Sequence, residues 1–417
     1  MSESPADNSL DTAGIAAALV ATTQTDGVDA MLTRLEERLR AQRRWHGLFD
    51  TRVLRARASL GLPLAGPLTD VDADRRGQLD EQTIAACREA GWGLFDEGQV
   101  AAGWVYLRAA VDRQEVATRL GQAADRLLAP TSAGLEDEDY QPLQELVQLA
   151  LWEGLDPALG IRITLATQGT CNAVTAYEQS VAGLPPAQQE PVAALMVEHL
   201  HAELLDNLSR DLRDRALVPA ATLDEIHAAD GDVSALLTAA GGLTDDAAIH
   251  LDASHLQSVL RFARICTAPT VLSKALALAT YACRLPDDFR YPGDPPFADF
   301  GTASRLFFAA LLGNEPDEAL AWFRDAATAA DSYDAPAAWD VVAVLAARLN
   351  RPAEAMAAVL ARPADTTPTQ PAPLTMMLPP LVELAHAADA GAALRQACLD
   401  RDDLITFAAS LARDAAR

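Results

Sequence analysis

The sequence predicts an all-α protein, an α/α superhelical solenoid of stacked antiparallel helix hairpins. Three observations point there. Half of the residues are hydrophobic and only 5% are aromatic, with Ala and Leu dominant, and these two side chains lose little freedom in a helix. No run alternates Val, Ile, Thr and aromatics as a half-buried strand would. Helical patterns are instead interrupted by Pro and Gly at regular intervals, along 417 residues. That length exceeds the roughly 250–300 residues at which single cores split or become repeats.

Taken in order, residues 1–10 read as disordered, and 11–130 as N-terminal helical repeats. Their helices are expected at 11–24, 26–45, 49–60, 80–97, 99–114 and 115–128, with Gly61, Pro63, Gly66 and Pro67 as punctuation. The acidic loop 132–140 leads into a central helical region, 140–284, that opens with a helix at 141–153. Asp156–Pro157 marks a helix start, and Thr170 caps a helix over 171–182 that Gly183 and Pro185–Pro186 close. Helices follow at 188–215, 222–228 and 232–240, the last stopped by Gly241–Gly242. Asp252 caps 253–267, and Pro269 opens 270–284. Residues 285–301 form a long loop with four aromatics, Phe289, Tyr291, Phe297 and Phe300. It reads as an inter-repeat crossover with packed aromatics or as a domain junction; loops of this length are commonly caps, lids or docking segments. C-terminal repeats fill 302–417, ending in a Pro/Thr linker at 362–373 and a pair of helices at 374–389 and 391–415. Arg395, Asp400, Arg401, Asp402, Asp403 and Arg413 give the last helix the polar outer face of a solenoid cap.

Two stretches carry a repeat signature. In Thr83–Val111, Gly91 and Gly103 let two helices approach closely, Leu94, Leu107 and Ala110 fill the space between them, and Gly98 falls at the turn. Ala319, Phe323 and Ala326 repeat the order after a turn at Gly313–Asn314, and Ala355 and Val359 do so after Asn350. The step from Ala319 to Ala355 is 36 residues, against about 34 for a tetratricopeptide repeat. Over 83–113 and 304–361 the chain therefore resembles the tetratricopeptide-repeat proteins. The resemblance implies partner binding on a concave surface and transfers no ligand residues, because the matching positions are packing positions.

Charge narrows the partners. The net charge is −26, Lys274 is the only lysine, and no basic run stands clear of acidic neighbours; nucleic acid and anionic membranes are thereby disfavoured. A basic protein or peptide is the partner most easily steered in. The five cysteines are scattered without C-x-x-C spacing, which argues against a disulfide framework or a thiolate zinc site. The N-terminus is acidic and polar rather than a secretory signal, and no apolar run reaches the roughly 20 residues of a membrane span. A cytoplasmic protein is expected.

Side chains capable of chemistry concentrate in 160–270. Four of the seven histidines lie there in two short segments, as His199, His201, His250 and His255. On a helix His199 and Glu203 share a face, whereas His199 and His201 point about 200° apart. His199, Glu203, His250 and His255 together would offer the nitrogen and oxygen ligands that Zn, Fe or Mn accept; otherwise these histidines are hydrogen-bonded fillers between helices. Cys171, in a first helical turn, is the candidate nucleophile. Asn172, Glu178, His201, Arg261 and Arg264 are candidate ligand contacts. The leading expectation is a scaffold that binds a protein, peptide or small ligand and needs no cofactor. A metal-dependent enzyme and a structural assembly subunit are the alternatives.

Overall fold

A computed structural model describes residues 12–69, 71–129, 137–215, 218–228, 233–239, 250–286, 296–363 and 376–415. Every regular element among them is helical, and none is long and apolar enough to cross a membrane. The segment 1–10, the Gly241–Gly242 stop, Phe289, Tyr291 and most of the Pro/Thr linker lie outside the described residues. The chain divides into two compact units, Met1–Ile163 and Thr164–Arg417.

The first unit holds α1 (Thr12–Ala41), α2 (Trp45–Ser59), α3 (Ala73–Asp96), α4 (Val100–Leu107), α5 (Arg113–Leu127) and α6 (Asp137–Val147). A π-turn, Gln148–Trp152, then leads to the start of α7 (Pro157–Ser180). α1 packs on α2, α2 on α3, α3 on α4 and α5 on α6. Gly27 breaks α1 with φ 89° and ψ 178°, a conformation essentially reserved for glycine; this is the break expected between 24 and 26. The α3–α4 pair is as close as its glycines imply. A Cβ on Gly103 would stand 2.7 Å from the Gly91 carbonyl oxygen, and one on Gly91 would stand 2.6 Å from Leu107 Cγ. Leu94, Leu107 and Ala110 are buried there, and Gly98 turns the chain at φ 81°. α4 is shorter than the expected 99–114. Asp112 accepts the Gln114 N–H at 2.7 Å and so starts α5 early.

The second unit continues with the end of α7, then α8 (Pro186–Asp214), α9 (Ala220–Ala228), α10 (Val233–Ala239), α11 (Ala253–Ala263) and α12 (Pro269–Ala282). α13 (Phe300–Leu311), α14 (Pro316–Ala329), α15 (Ala335–Arg348), α16 (Pro352–Ala361), α17 (Leu381–Ala387), α18 (Gly391–Asp400) and α19 (Leu404–Ala415) complete it. Proline opens α8, α12, α14 and α16, where its missing N–H costs nothing. From α11 onward each helix packs on the next in sequence, while α8 is the long strut against which α9 to α12 lie. Phe297 is buried and stacks on Trp322, with ring centroids 5.9 Å apart, and Phe300 begins α13. These two aromatics of the 285–301 loop thus pack on the helices. Ala319, Phe323, Ala355 and Val359 are buried as expected, but at the next position Ala327 is the buried residue and Ala326 is half-exposed.

One expectation about the C-terminus needs correction. The helix expected over 391–415 is two helices, because Asp402 takes φ 55° and Asp403 accepts the Thr406 N–H at 3.0 Å, starting a new one. Of the residues expected to give this segment a polar outer face, Asp400, Arg401 and Asp402 are exposed at the end of α18 and in the turn to α19, whereas Arg395 and Arg413 are held in ion pairs with Asp414 and Glu383; Leu404, Ile405 and Leu411 of α19 are exposed beside them.

Candidate functional site

The polar residues singled out in the central region gather on α7, α8 and α11 of the second unit. Their common support is a row along α8: His199, Glu203, Asn207 and Asp211, spaced by four and all half-exposed. Residues four apart form one ridge of a helix, turning about 40° per step. Core positions behind the row, Leu200, Leu204, Leu208 and Leu212, are buried and fix how α8 presents it.

The upper end of the row meets α7. Gly169 breaks that helix at φ 80° and ψ 179°, beside the helix start expected at Thr170, but the Thr170 hydroxyl turns to α8 instead of capping. The Thr170 hydroxyl lies 3.2 Å from Glu203 Oε2 and 3.1 Å from His199 Nε2. A hydroxyl has one proton to give, and a carboxylate can only accept. Thr170 therefore donates to Glu203 and accepts from His199 Nε2–H. His199 and Glu203 themselves stand 3.7 Å apart.

The lower end meets the lead-in to α11. Asn207 Nδ2 donates to the His250 carbonyl at 2.9 Å. Asp211 Oδ2 accepts from His250 Nε2 at 3.1 Å, and its Oδ1 accepts from Arg215 Nε at 2.7 Å. His250 is buried, with Nδ1 3.2 Å from the Tyr281 hydroxyl, which also accepts the His250 backbone N–H at 3.0 Å. The assignments close if neutral His250 carries its proton on Nε2 and Tyr281 donates to Nδ1. Burial pushes the Tyr281 phenol above its ordinary range, so that donor persists.

This geometry separates the four residues nominated as metal ligands. Asp211, and with it His250, sits twelve residues and so about 18 Å along α8 from His199, whereas ligands to one zinc stand about 2.0–2.2 Å from it. His255 is half-buried and its N–H reaches Asp252 Oδ1 at 3.3 Å. Among the described residues no three His, Cys, Asp or Glu side chains form a group able to hold a metal ion. Asp252 is the helix cap that its sequence position suggests. Hydrogen bonds from Ser254, first its hydroxyl at 2.5 Å, hold its carboxyl below the usual range against a smaller effect of burial.

Of the nominated ligand contacts, Glu178 and Arg261 meet in an ion pair of 2.5 Å, both half-exposed. Asn172 is exposed and donates to the Gln168 carbonyl at 2.9 Å, across the α7 break. His201 is buried, as its rotation from His199 requires. Arg264 is half-buried, with its guanidinium carbon 5.9 Å from the Phe307 ring centre. Cys171 is the exposed cysteine, but His199 spends Nε2 on Thr170 rather than on the thiol. Burial pushes the Cys87, Cys283 and Cys398 thiols up, and Cys266 up to about 12.

Asn207, Asp211, Tyr281 and Arg348 escaped the sequence reading. The first two continue the i+4 spacing of His199 and Glu203, a signal that was present. Arg348 donates to the carbonyls of Arg264 and Cys266 just after α11, and burial lowers its pKa; no local pattern announces such a contact. Beside the row, α8 and α9 enclose a shallow cleft of about 310 Å³ lined by Asp206, Ser209, Arg210, Arg213 and Asp224. In the first unit a recess of about 320 Å³ is lined mainly by apolar residues, including Phe95, Val100, Leu127 and Leu146. Compared with known protein families, curated proteins and solved structures, the chain matches none.

Proposed function

We propose that this protein is a non-catalytic helical-repeat scaffold that holds a basic peptide or protein segment along the α8 row of its second unit. The single observation that carries the reading is that row: half-exposed polar groups on a rigid helix, backed by a continuous apolar core. Its acids, Glu203 and Asp211, are flanked by the exposed Glu198 and Asp206. A lysine or arginine side chain can replace the Thr170 hydroxyl on Glu203, exchanging a neutral donor for a charged one, and charge-assisted bonds are roughly twice as strong. The net charge of −26 favours the encounter. Packing of each helix from α11 onward on the next supports stacked hairpins, and the concave face of such a stack is where repeat proteins of this kind bind.

The test is fluorescence anisotropy with labelled peptides of equal length, graded from strongly acidic to strongly basic. Basic peptides should bind saturably and more weakly as salt rises. Glu203→Gln with Asp206→Asn should cost roughly tenfold for each carboxylate in contact, since a charged hydrogen bond is worth about 1.5–3 kcal/mol and 1.4 kcal/mol is tenfold. Affinity that ignores peptide charge, or that both substitutions leave intact, removes the proposal.

A further inference from the structure

The recess of the first unit is an apolar hollow with a free arginine at its mouth. Phe95 at the end of α3, Val100 at the start of α4 and Leu146 of α6 line it and are all buried. Ala123 and Leu127 of α5 are its half-exposed side. Gly98, needed at φ 81° for the turn, and the short Ala123 supply no bulk to fill the space between these helices. Its volume of about 320 Å³ lies at the small end of the roughly 300–1,000 Å³ of small-molecule sites, which combine apolar walls with a few polar groups.

The charges around the mouth leave one cation over. Asp96 lines the recess, but its carboxylate pairs with Arg119 Nη1 at 3.4 Å, and the Arg119 guanidinium carbon lies 3.9 Å from the Trp92 ring centre. Arg126 follows Arg119 by seven residues on the same face of α5. It also lines the recess, is exposed, and has no hydrogen-bond or ion-pair partner among the described residues. Glu145 of α6 is outside the lining, and its carboxylate accepts the Ala101 N–H at 3.4 Å. The start of α4 adds to the positive side. Gly98 and Val100 line the recess, Gln99 between them gives no capping hydrogen bond, and the first N–H groups of a helix carry partial positive charge.

We propose that this recess binds a small amphipathic monocarboxylate, its apolar tail on Phe95, Val100 and Leu146 and its carboxylate at Arg126. The guanidinium fork matches a carboxylate in geometry as well as charge. The tail gains by leaving water for a wall that is otherwise apolar. A neutral ligand of the same shape would leave Arg126 unused, and a carboxylate without a tail would leave the hollow unfilled. The net charge of −26 does not oppose this ligand at close range, because salt screens exposed charges beyond about 8–10 Å and the unpaired group at the mouth is the arginine.

The inference is independent of the α8 reading, which concerns the other unit and a ligand of opposite charge. Isothermal titration of the full chain with octanoate, octanol and acetate tests both halves of it. Octanoate should bind saturably, one per chain. Octanol should bind more weakly by roughly tenfold, the worth of one charge-assisted hydrogen bond, and acetate should give no measurable heat of binding. Arg126→Gln, at an exposed position that spares the core, should bring octanoate down to the octanol level, and Arg126→Lys should restore part of the loss. Ala123→Phe, which fills the hollow, should remove octanoate binding. A cation that serves only the dipole at the end of α5 would leave octanoate binding unmoved by Arg126→Gln. That result overturns the proposal, as does octanoate that fails to saturate, binds no better than octanol, or is held unchanged by Ala123→Phe.

Discussion

Replacing Gly103 by alanine sets two effects of known sign against each other. In an unconstrained helix the change is stabilising by about 0.5–1 kcal/mol, because glycine loses more backbone freedom on folding. At Gly103 the added methyl would lie 2.7 Å from the Gly91 carbonyl oxygen and 3.1 Å from the Phe95 nitrogen, where ordinary contacts are 3.4–4 Å. Both neighbours are backbone atoms, so relief requires α3 and α4 to part. Overpacking of this kind costs about 1–3 kcal/mol, occasionally more. The net expectation is a loss of about 1–2 kcal/mol, the overpacking term less the helix gain. For a unit of this size that is a fall of roughly 2–8 °C in Tm. Gly121→Ala is the control: Gly121 lies inside α5 with nothing within 4 Å of a Cβ, so it should gain the full helix term. Urea titration of both variants, with hydrogen exchange followed on α3 and α4 peptides, reads the difference. If Gly103→Ala stabilises the chain as Gly121→Ala does, the two helices are not in the close contact described.

Two further outcomes follow from the same physics. Burial alone would raise the Glu89 pKa, but hydrogen bonds and charge from Arg40 and Arg52 outweigh it and hold the carboxyl below its ordinary value. The associated stability is present above the ordinary carboxylate range and lost as pH falls through the depressed value. Glu89→Gln should therefore cost about 1 kcal/mol at neutral pH, the upper end for partly exposed pairs, and nothing in strong acid; a pH-independent difference in urea midpoint contradicts this. Gly169→Ala should cost about 1–3 kcal/mol through backbone strain alone, since no atom lies within 4 Å of the added methyl. It should also shift the His199 ring signals in nitrogen-15 NMR as Thr170 moves, and an unshifted ring would show that the break does not place Thr170.

What the sequence disclosed is what local chemistry encodes. Breaks near residues 25 and 170 were legible, as were Asp252 as a cap and Gly91 with Gly103 as a close approach, because each acts on its own few residues; that Gly27 and Gly169 make the breaks is a finding of the structure. The pairing of Glu178 with Arg261 was half legible: both were nominated, but 83 residues separate them and nothing local says that they meet. His250 illustrates the limit best. Its partners, Asp211 and Tyr281, lie 39 and 31 residues away on opposite sides in sequence. Only tertiary packing reveals that both ring nitrogens are occupied and that the residue stands far from His199. Proximity in sequence suggested one site where the length of α8 imposes two. The exposed apolar residues of α19 were hidden for a related reason. Arg395 and Arg413 looked like a solvated surface until their partners, Asp414 and Glu383, were known.

The uneven accessibility of the thiols gives the molecule a built-in reporter. Four of its five thiols are buried or half-buried and hard to ionise, whereas the fifth stands in solvent one residue beyond Thr170. A maleimide dye at mild pH should therefore attach at Cys171 alone in the native chain, without engineering. Its emission would register any molecule settling beside the His199–Glu203 end of α8, which turns the search for a binding partner into a titration that needs no prior guess of its identity.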